Sequence, residues 1–148
     1  MAGLKSISST AWEGDLSSGS GMVEFNSGAI SNSPVTWASR TESADGKTSP
    51  EELLAASHSS CFAMAFSHTL TSAGHKPELL FVTSTVDFGP KEGGGFEVKS
   101  STLDVRGKVP GLSADEFTQL ANQAEQGCPI SNVMRGNVPV TVNATLES

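Results

Sequence analysis

Apolar and polar positions change rhythm several times along the chain, and each change marks an element. Near the start, Ser8-Ser9-Thr10-Ala11-Trp12, Met22-Val23-Glu24-Phe25 and Pro34-Val35-Thr36-Trp37 favour strands. Glycine and serine turns separate them, most densely over residues 14–21, so the first forty-odd residues predict a small β-meander. Residues 41–47 form a polar, glycine-containing connection in which Arg40, just before it, closes the third strand. Ser49, Pro50 and Glu52 then stand where a helix N-cap, a first-position proline and the N3 carboxylate of a capping box belong. A helix is predicted from about Pro50 to Ser72, with Gly74 as its stop.

Residues 79–88 are rich in Leu, Val, Thr and Phe, and residues 96–109 return as a second long strand after the turn Gly93-Gly94-Gly95, which predicts a hairpin. Pro110-Gly111 breaks the chain. Ser113 caps a further helix with Asp115 and Glu116 in its first turn, and Phe117, Leu120, Ala121 and Ala124 give it one apolar stripe up to Gly127. Pro129 to Met134 predicts another short helical turn with Cys128 at its cap. Finally Val138, Val140, Val142, Ala144 and Leu146 alternate with polar residues and Pro139, which predicts a strand. The order β-β-β-α-β-β-α-β predicts an α+β fold with mainly antiparallel sheet.

At 148 residues the chain has the length of one ordinary domain, expected to span 1–148 and to bury a core without disulfide staples. A formal charge of −7 with no basic cluster lacks the electrostatic footprint of a nucleic-acid binder. The opening Met1-Ala2-Gly3-Leu4-Lys5-Ser6 runs into polar sequence without the apolar core of a secretory signal, and the expected location is cytoplasmic. Residues 53–75 contain no Asp, Glu, Lys or Arg, but their serines, threonines and histidines are too many for a lipid-facing helix. That helix is expected to be buried by protein, including a second subunit.

In a reducing compartment the chain's two cysteines, Cys61 and Cys128, rest as thiols, and a disulfide between them would be transient and catalytic. A thiol reacts as its thiolate and needs a cation, a helix N-terminus or a metal to lower its pKa. By position alone Cys128, opening a short helix, has the better dipole, and Cys61 in mid-helix must borrow a charge. His58, one turn before Cys61, offers a Cys-His nucleophile pair, with a hydrogen-bonded core histidine as the bland alternative. A zinc site from His58, Cys61 and Cys128 matches no usual ligand spacing. Arg40 is the better source of positive charge, and Glu51 and Glu52 have purely local reasons to sit in a first helical turn.

Three segments in order carry a resemblance: Ala11-Trp12-Glu13-Gly14-Asp15-Leu16, then Thr48-Ser49-Pro50-Glu51-Glu52-Leu53-Leu54-Ala55-Ala56 leading to Ser60-Cys61-Phe62-Ala63-Met64-Ala65, then Gly127-Cys128-Pro129-Ile130-Ser131. Together they resemble the OsmC/Ohr family of thiol peroxidases over essentially the whole chain. Trp12-Glu13-Gly14-Asp15 and the placing of Arg40 are similar to the osmotically inducible OsmC branch. The Ohr branch carries its arginine in the first hairpin, where this chain has none; Ser49 replaces the asparagine usual before Pro50, a change compatible with capping.

The resemblance implies an OsmC-like fold in an intertwined homodimer that reduces organic hydroperoxides. It implies Cys61 as peroxidatic thiol, against the dipole argument, Cys128 as resolving thiol, and Arg40 with Glu51 as the pair that holds the thiolate ready. No metal or bound cofactor is implied, and the electrons would come from an external dithiol such as dihydrolipoamide or a lipoylated protein. The rival readings are a non-enzymatic dimeric stress protein binding a hydrophobic ligand, and a hydrolase built on Cys61 and His58. Glu51 and Cys61 lie ten residues apart, a rise of about 15 Å and a rotation roughly 80° short of three turns on a continuous helix. If Arg40 and Glu51 organise the thiolate, either one reaches it from the other subunit or the helix breaks between them; with no proline or glycine in that interval, the first is expected.

Overall fold

The computed structural model describes residues 3–148, so the first two residues of the segment read above for a leader lie outside the described residues. The chain divides into two compact units, one ending at Leu53 and the other running from Leu54 to Ser148.

In the first unit β1 (Ser8–Glu13), β2 (Ser20–Phe25) and β3 (Ser33–Val35) form the expected antiparallel meander in the order β1-β2-β3. The β1–β2 loop is tied by the Asp15 carboxylate, whose Oδ1 accepts from the Ser17 and Ser18 N–H groups at 2.9 Å each and whose Oδ2 accepts from Ser18 Oγ at 2.7 Å. Those donors hold the Asp15 carboxyl far below the usual carboxylate range. Gly21 on β2 is a close-approach position: a Cβ there would meet Trp12 Cε3 at 2.9 Å and Val35 Cγ1 at 3.0 Å, so glycine leaves room for both side chains.

The third strand is shorter than expected, and Arg40 does not close it. Thr36 leaves the strand as an N-cap, and α1 (Trp37–Thr41) follows. Ser39 N–H donates to Thr36 Oγ1 and Thr36 N–H to Ser39 Oγ, both at 3.0 Å, so a serine fills the place usually held by Glu in a capping box. Arg40 therefore sits in the last turn of a helix.

The helix α2 (Pro50–Ser72) has the predicted ends but not the full predicted cap. Glu52 N–H donates to Ser49 Oγ at 3.1 Å, whereas the Glu52 carboxylate accepts from Thr48 Oγ1 at 2.6 Å instead of returning to the cap backbone. At the other end His75 N–H donates to Leu70 O at 2.9 Å and Gly74 N–H to Thr71 O at 3.0 Å, with Gly74 at φ +88°. This is a Schellman closure on the glycine the pattern singled out.

In the second unit β4 (Leu79–Pro90) and β5 (Phe96–Lys108) form the expected antiparallel hairpin, bulged at Asp87/Phe88. After α3 (Ala114–Gly127), with its Ser113/Glu116 capping box, and α4 (Pro129–Met134), the chain returns as β6 (Val140–Leu146). That strand starts two residues later than the alternation suggests, because Val138 N–H still closes a turn onto Met134 O at 2.8 Å. It pairs parallel to β5, from Ser101↔Val140 to Gly107↔Leu146, so the α+β assignment holds with one parallel pairing. A connection carrying two helices is long enough to bring a strand back in the same direction.

Every fourth residue of α2 from His58 onward is fully buried: His58, Phe62, Phe66 and Leu70. This stripe packs on Leu103 and Val105 of β5 and on Phe117, Ala121 and Ala124 of α3, with the Phe66 and Phe117 ring centroids 5.0 Å apart. Cys128 belongs to the same core and Cys61 packs against it. No helix among the described residues is long and apolar enough to cross a membrane.

Candidate active site

In the first unit the short helix α1 and the first turn of α2 bring Arg40 and Glu51 together. Arg40 Nε donates to Glu51 Oε1 and Oε2 at 3.0 and 3.1 Å, and its Nη2 donates to Oε1 at 2.7 Å. The carboxylate is nearly buried and the guanidinium about a third exposed, at 9% and 29%. Such a fork fixes the plane of the guanidinium. The guanidinium carbon also lies 5.7 Å from the Trp37 ring centroid. Arg40 edges an apolar cleft of about 380 Å³ lined by Trp12, Leu16, Val23, Val35, Trp37 and Leu53.

In the second unit the two thiols, 67 positions apart in sequence, are neighbours. Both are free; Cys61 is half-buried on α2 and Cys128 is fully buried between α3 and α4. Burial pushes the Cys61 thiol up, and the Cys128 thiol beside it adds to the rise. The Ile130 backbone amide opposes that rise.

His58 takes the bland role. Its Nδ1 is 2.7 Å from Ser101 Oγ on β5 and its Nε2 is 2.8 Å from Ser131 Oγ on α4, so neither ring nitrogen is left to activate Cys61. Sequence reasoning missed both serines, which stand 43 and 73 residues from the histidine with no local pattern to link them. Nor do His58, Cys61 and Cys128 make the zinc site considered above: among the described residues no group of three His, Cys, Asp or Glu side chains is placed to hold a metal ion.

Burial holds the His58 pKa below its ordinary 6.5, against a smaller upward pull from the Glu125 carboxylate. The unfolded chain takes up that proton near 6.5 while the folded chain resists it, so folding loses stability as pH falls below about 6.5. Thermal scans from about pH 7.5 to 5 are expected to show Tm falling over that interval. The slope should flatten in His58→Gln.

A family model described as OsmC-like protein matches residues 43–143. The chain belongs to the OsmC-like protein family. It is 36% identical to the peroxiredoxin OsmC of Escherichia coli over 93% of both chains. It is 35% identical to an organic hydroperoxide resistance protein of Xanthomonas axonopodis over 64% of this chain and 65% of that one. The match to the OsmC protein runs nearly end to end and supports the OsmC branch. Among solved structures, an organic hydroperoxide resistance protein from Elizabethkingia anophelis with thiocyanate bound superposes at a TM-score of 0.74, with 29% identity, over 99% of this chain and 100% of that one. For this OsmC-like chain the α+β fold is thus that of its family, and its two pairs, Arg40 with Glu51 and Cys61 with Cys128, are the candidate site residues.

Proposed function

We propose that this OsmC-like protein is a thiol peroxidase that reduces organic hydroperoxides to alcohols. The observation that carries the reading is the pair of free thiols side by side, one half-buried and one fully buried, in a chain with no other cysteine. The Cys61 thiolate attacks the terminal peroxide oxygen, the O–O bond breaks, and the alkoxide leaves as alcohol with a proton, giving a sulfenic acid. The Cys128 thiol then displaces water from that sulfur and forms the Cys61–Cys128 disulfide. An external dithiol, of the lipoyl type, returns both thiols by two exchange steps and becomes a disulfide itself. No resident metal or cofactor takes part.

Arg40, oriented by Glu51, supplies the positive charge that favours a thiolate and the leaving oxygen. The cleft lined by Trp12, Val23 and Trp37 supports an alkyl or fatty-acyl substrate over hydrogen peroxide, because it offers apolar surface and few polar groups. The working form in this reading is a homodimer in the cytoplasm, with neither nucleic acid nor membrane as a partner.

Counting free thiols after one equivalent of cumene hydroperoxide tests the reading. Both thiols are expected to disappear together and to return on adding dihydrolipoamide. A protein that merely binds an apolar ligand would keep both, and that result would reject the peroxidase reading.

A further inference from the structure

We propose that Glu125 and Arg135 are positioning residues for Cys128: with Asn132 they close a ring of hydrogen bonds on its backbone, which holds the thiol in the core as the partner of a Cys61 sulfenic acid.

The ring is built on the peptide groups of Cys128 itself, the corner residue between α3 and α4. Its N–H donates to Glu125 O at 3.2 Å, closing α3, and its O accepts from the Asn132 N–H at 3.0 Å, opening α4. Side chains complete the circuit. Glu125 Oε1 accepts from Arg135 Nη2 at 2.9 Å, and Arg135 Nε donates to Asn132 Oδ1 at 3.2 Å. Gln126 Nε2 donates to the other carboxylate oxygen, Glu125 Oε2, at 2.8 Å, so both oxygens are engaged. The path thus runs from Cys128 to Glu125, Arg135, Asn132 and back to Cys128.

The helix α4 has six residues and no side-chain cap at Cys128, so its own hydrogen bonds hold it weakly. Ser131 Oγ ties its middle to His58 Nε2 at 2.8 Å, and Arg135 ties its end to Glu125. The second tie returns to the corner that carries the thiol. The Glu125 side chain is 10% exposed, so its carboxylate is costly without a cation, while Arg135 at 44% is partly screened by water and sets a moderate scale for the pair. Cys128 is 0% exposed and stands in one core with Phe117, Ala121 and Ala124. Its thiol reaches solvent when the corner opens locally, and that opening breaks the ring.

The inference rests on Cys128 as the resolving thiol, but its first readout needs no peroxide. That readout is the rate of Cys128 alkylation in the native, reduced protein, followed peptide by peptide by mass spectrometry with Cys61 as internal control. Glu125→Gln and Arg135→Gln are each expected to speed Cys128 alkylation about five- to tenfold and to leave the Cys61 rate in place. The double variant should match the faster single one, because both changes remove the same link. Ser113→Ala weakens the cap at the far end of α3 and is expected to leave Cys128 alkylation unchanged, which separates the ring from general loss of stability. Unchanged Cys128 rates in both single variants, additive effects in the double variant, or an equal rise in Ser113→Ala overturns the proposal. After a peroxide pulse, Glu125→Gln should oxidise Cys61 at the native rate but raise its sulfinic share about threefold or more, since the sulfenic acid waits longer for its partner. A native sulfinic share overturns the resolving role of the ring. If the thiols ignore peroxide, the peroxidase reading fails and that role with it, while the alkylation rates still decide whether the ring guards Cys128. Should the variants not fold, hydrogen exchange in the native protein decides: the Cys128 and Asn132 amides should exchange through one common opening, and protection differing by more than about tenfold overturns the proposal.

Discussion

Cys61→Ser is expected to lower hydroperoxide consumption by about a hundredfold or more, to the level of buffer, while leaving the fold intact. A serine hydroxyl stays protonated at neutral pH and is a poor nucleophile toward peroxide oxygen. Cys128 cannot take over, because it is 0% exposed within the core of the second unit. Cys128→Ser should behave differently: one oxidation still occurs, but no partner condenses with the sulfenic acid, which then climbs to sulfinic and sulfonic acid. Mass spectrometry after a peroxide pulse separates the cases. The native chain should lose two hydrogens, Cys128→Ser should gain two or three oxygens, and Cys61→Ser should keep its mass. Normal turnover in Cys61→Ser would reverse the roles assigned to the two thiols.

The parts of the fold written in local punctuation were legible in the sequence. Ser49-Pro50 and Gly74 bounded α2, Ser113 and Glu116 opened α3, and Gly127-Cys128-Pro129 set off α4, because caps and breakers act over a few residues. The helix α1 escaped notice for the same reason in reverse: its five residues are too few for a periodicity, and Ser39 stands where a capping box usually shows Glu or Gln. The direction of β6 was not legible from its alternation, since a period of two fixes the faces of a strand and not its partner. The two-helix connection before it was the signal to use. The thiol pair and the Arg40–Glu51 pair were expected from family resemblance and not from residue physics, which favoured Cys128 by its dipole and offered Arg40 only as the better source of positive charge. The bonds of His58 to Ser101 and Ser131 are tertiary, and a single sequence holds no trace of them.

Glu51 offers the second large effect, and helix geometry determines its form. The helix α2 is unbroken from Pro50 to Ser72, which removes a break between Glu51 and Cys61 as a way to bring them together. Ten residues of helix leave a rise of about 15 Å, beyond the reach of one side chain. If the Arg40–Glu51 pair serves the thiolate, the pair of one subunit must therefore serve Cys61 of the other in a homodimer. Glu51→Ala removes the carboxylate that holds both the Arg40 Nε and Nη2, and is expected to lower the rate of Cys61 oxidation about ten- to a hundredfold. The decisive measurement joins two inactive subunits. A heterodimer of Cys61→Ser with Glu51→Ala would contain one shared site with both defects and one with neither, so co-expressed and purified heterodimers should recover about half the native activity. A site confined to one chain predicts no more than the residual activity of Glu51→Ala, because each subunit then carries its own lesion. Heterodimers of confirmed composition that remain inactive would rule out the shared site.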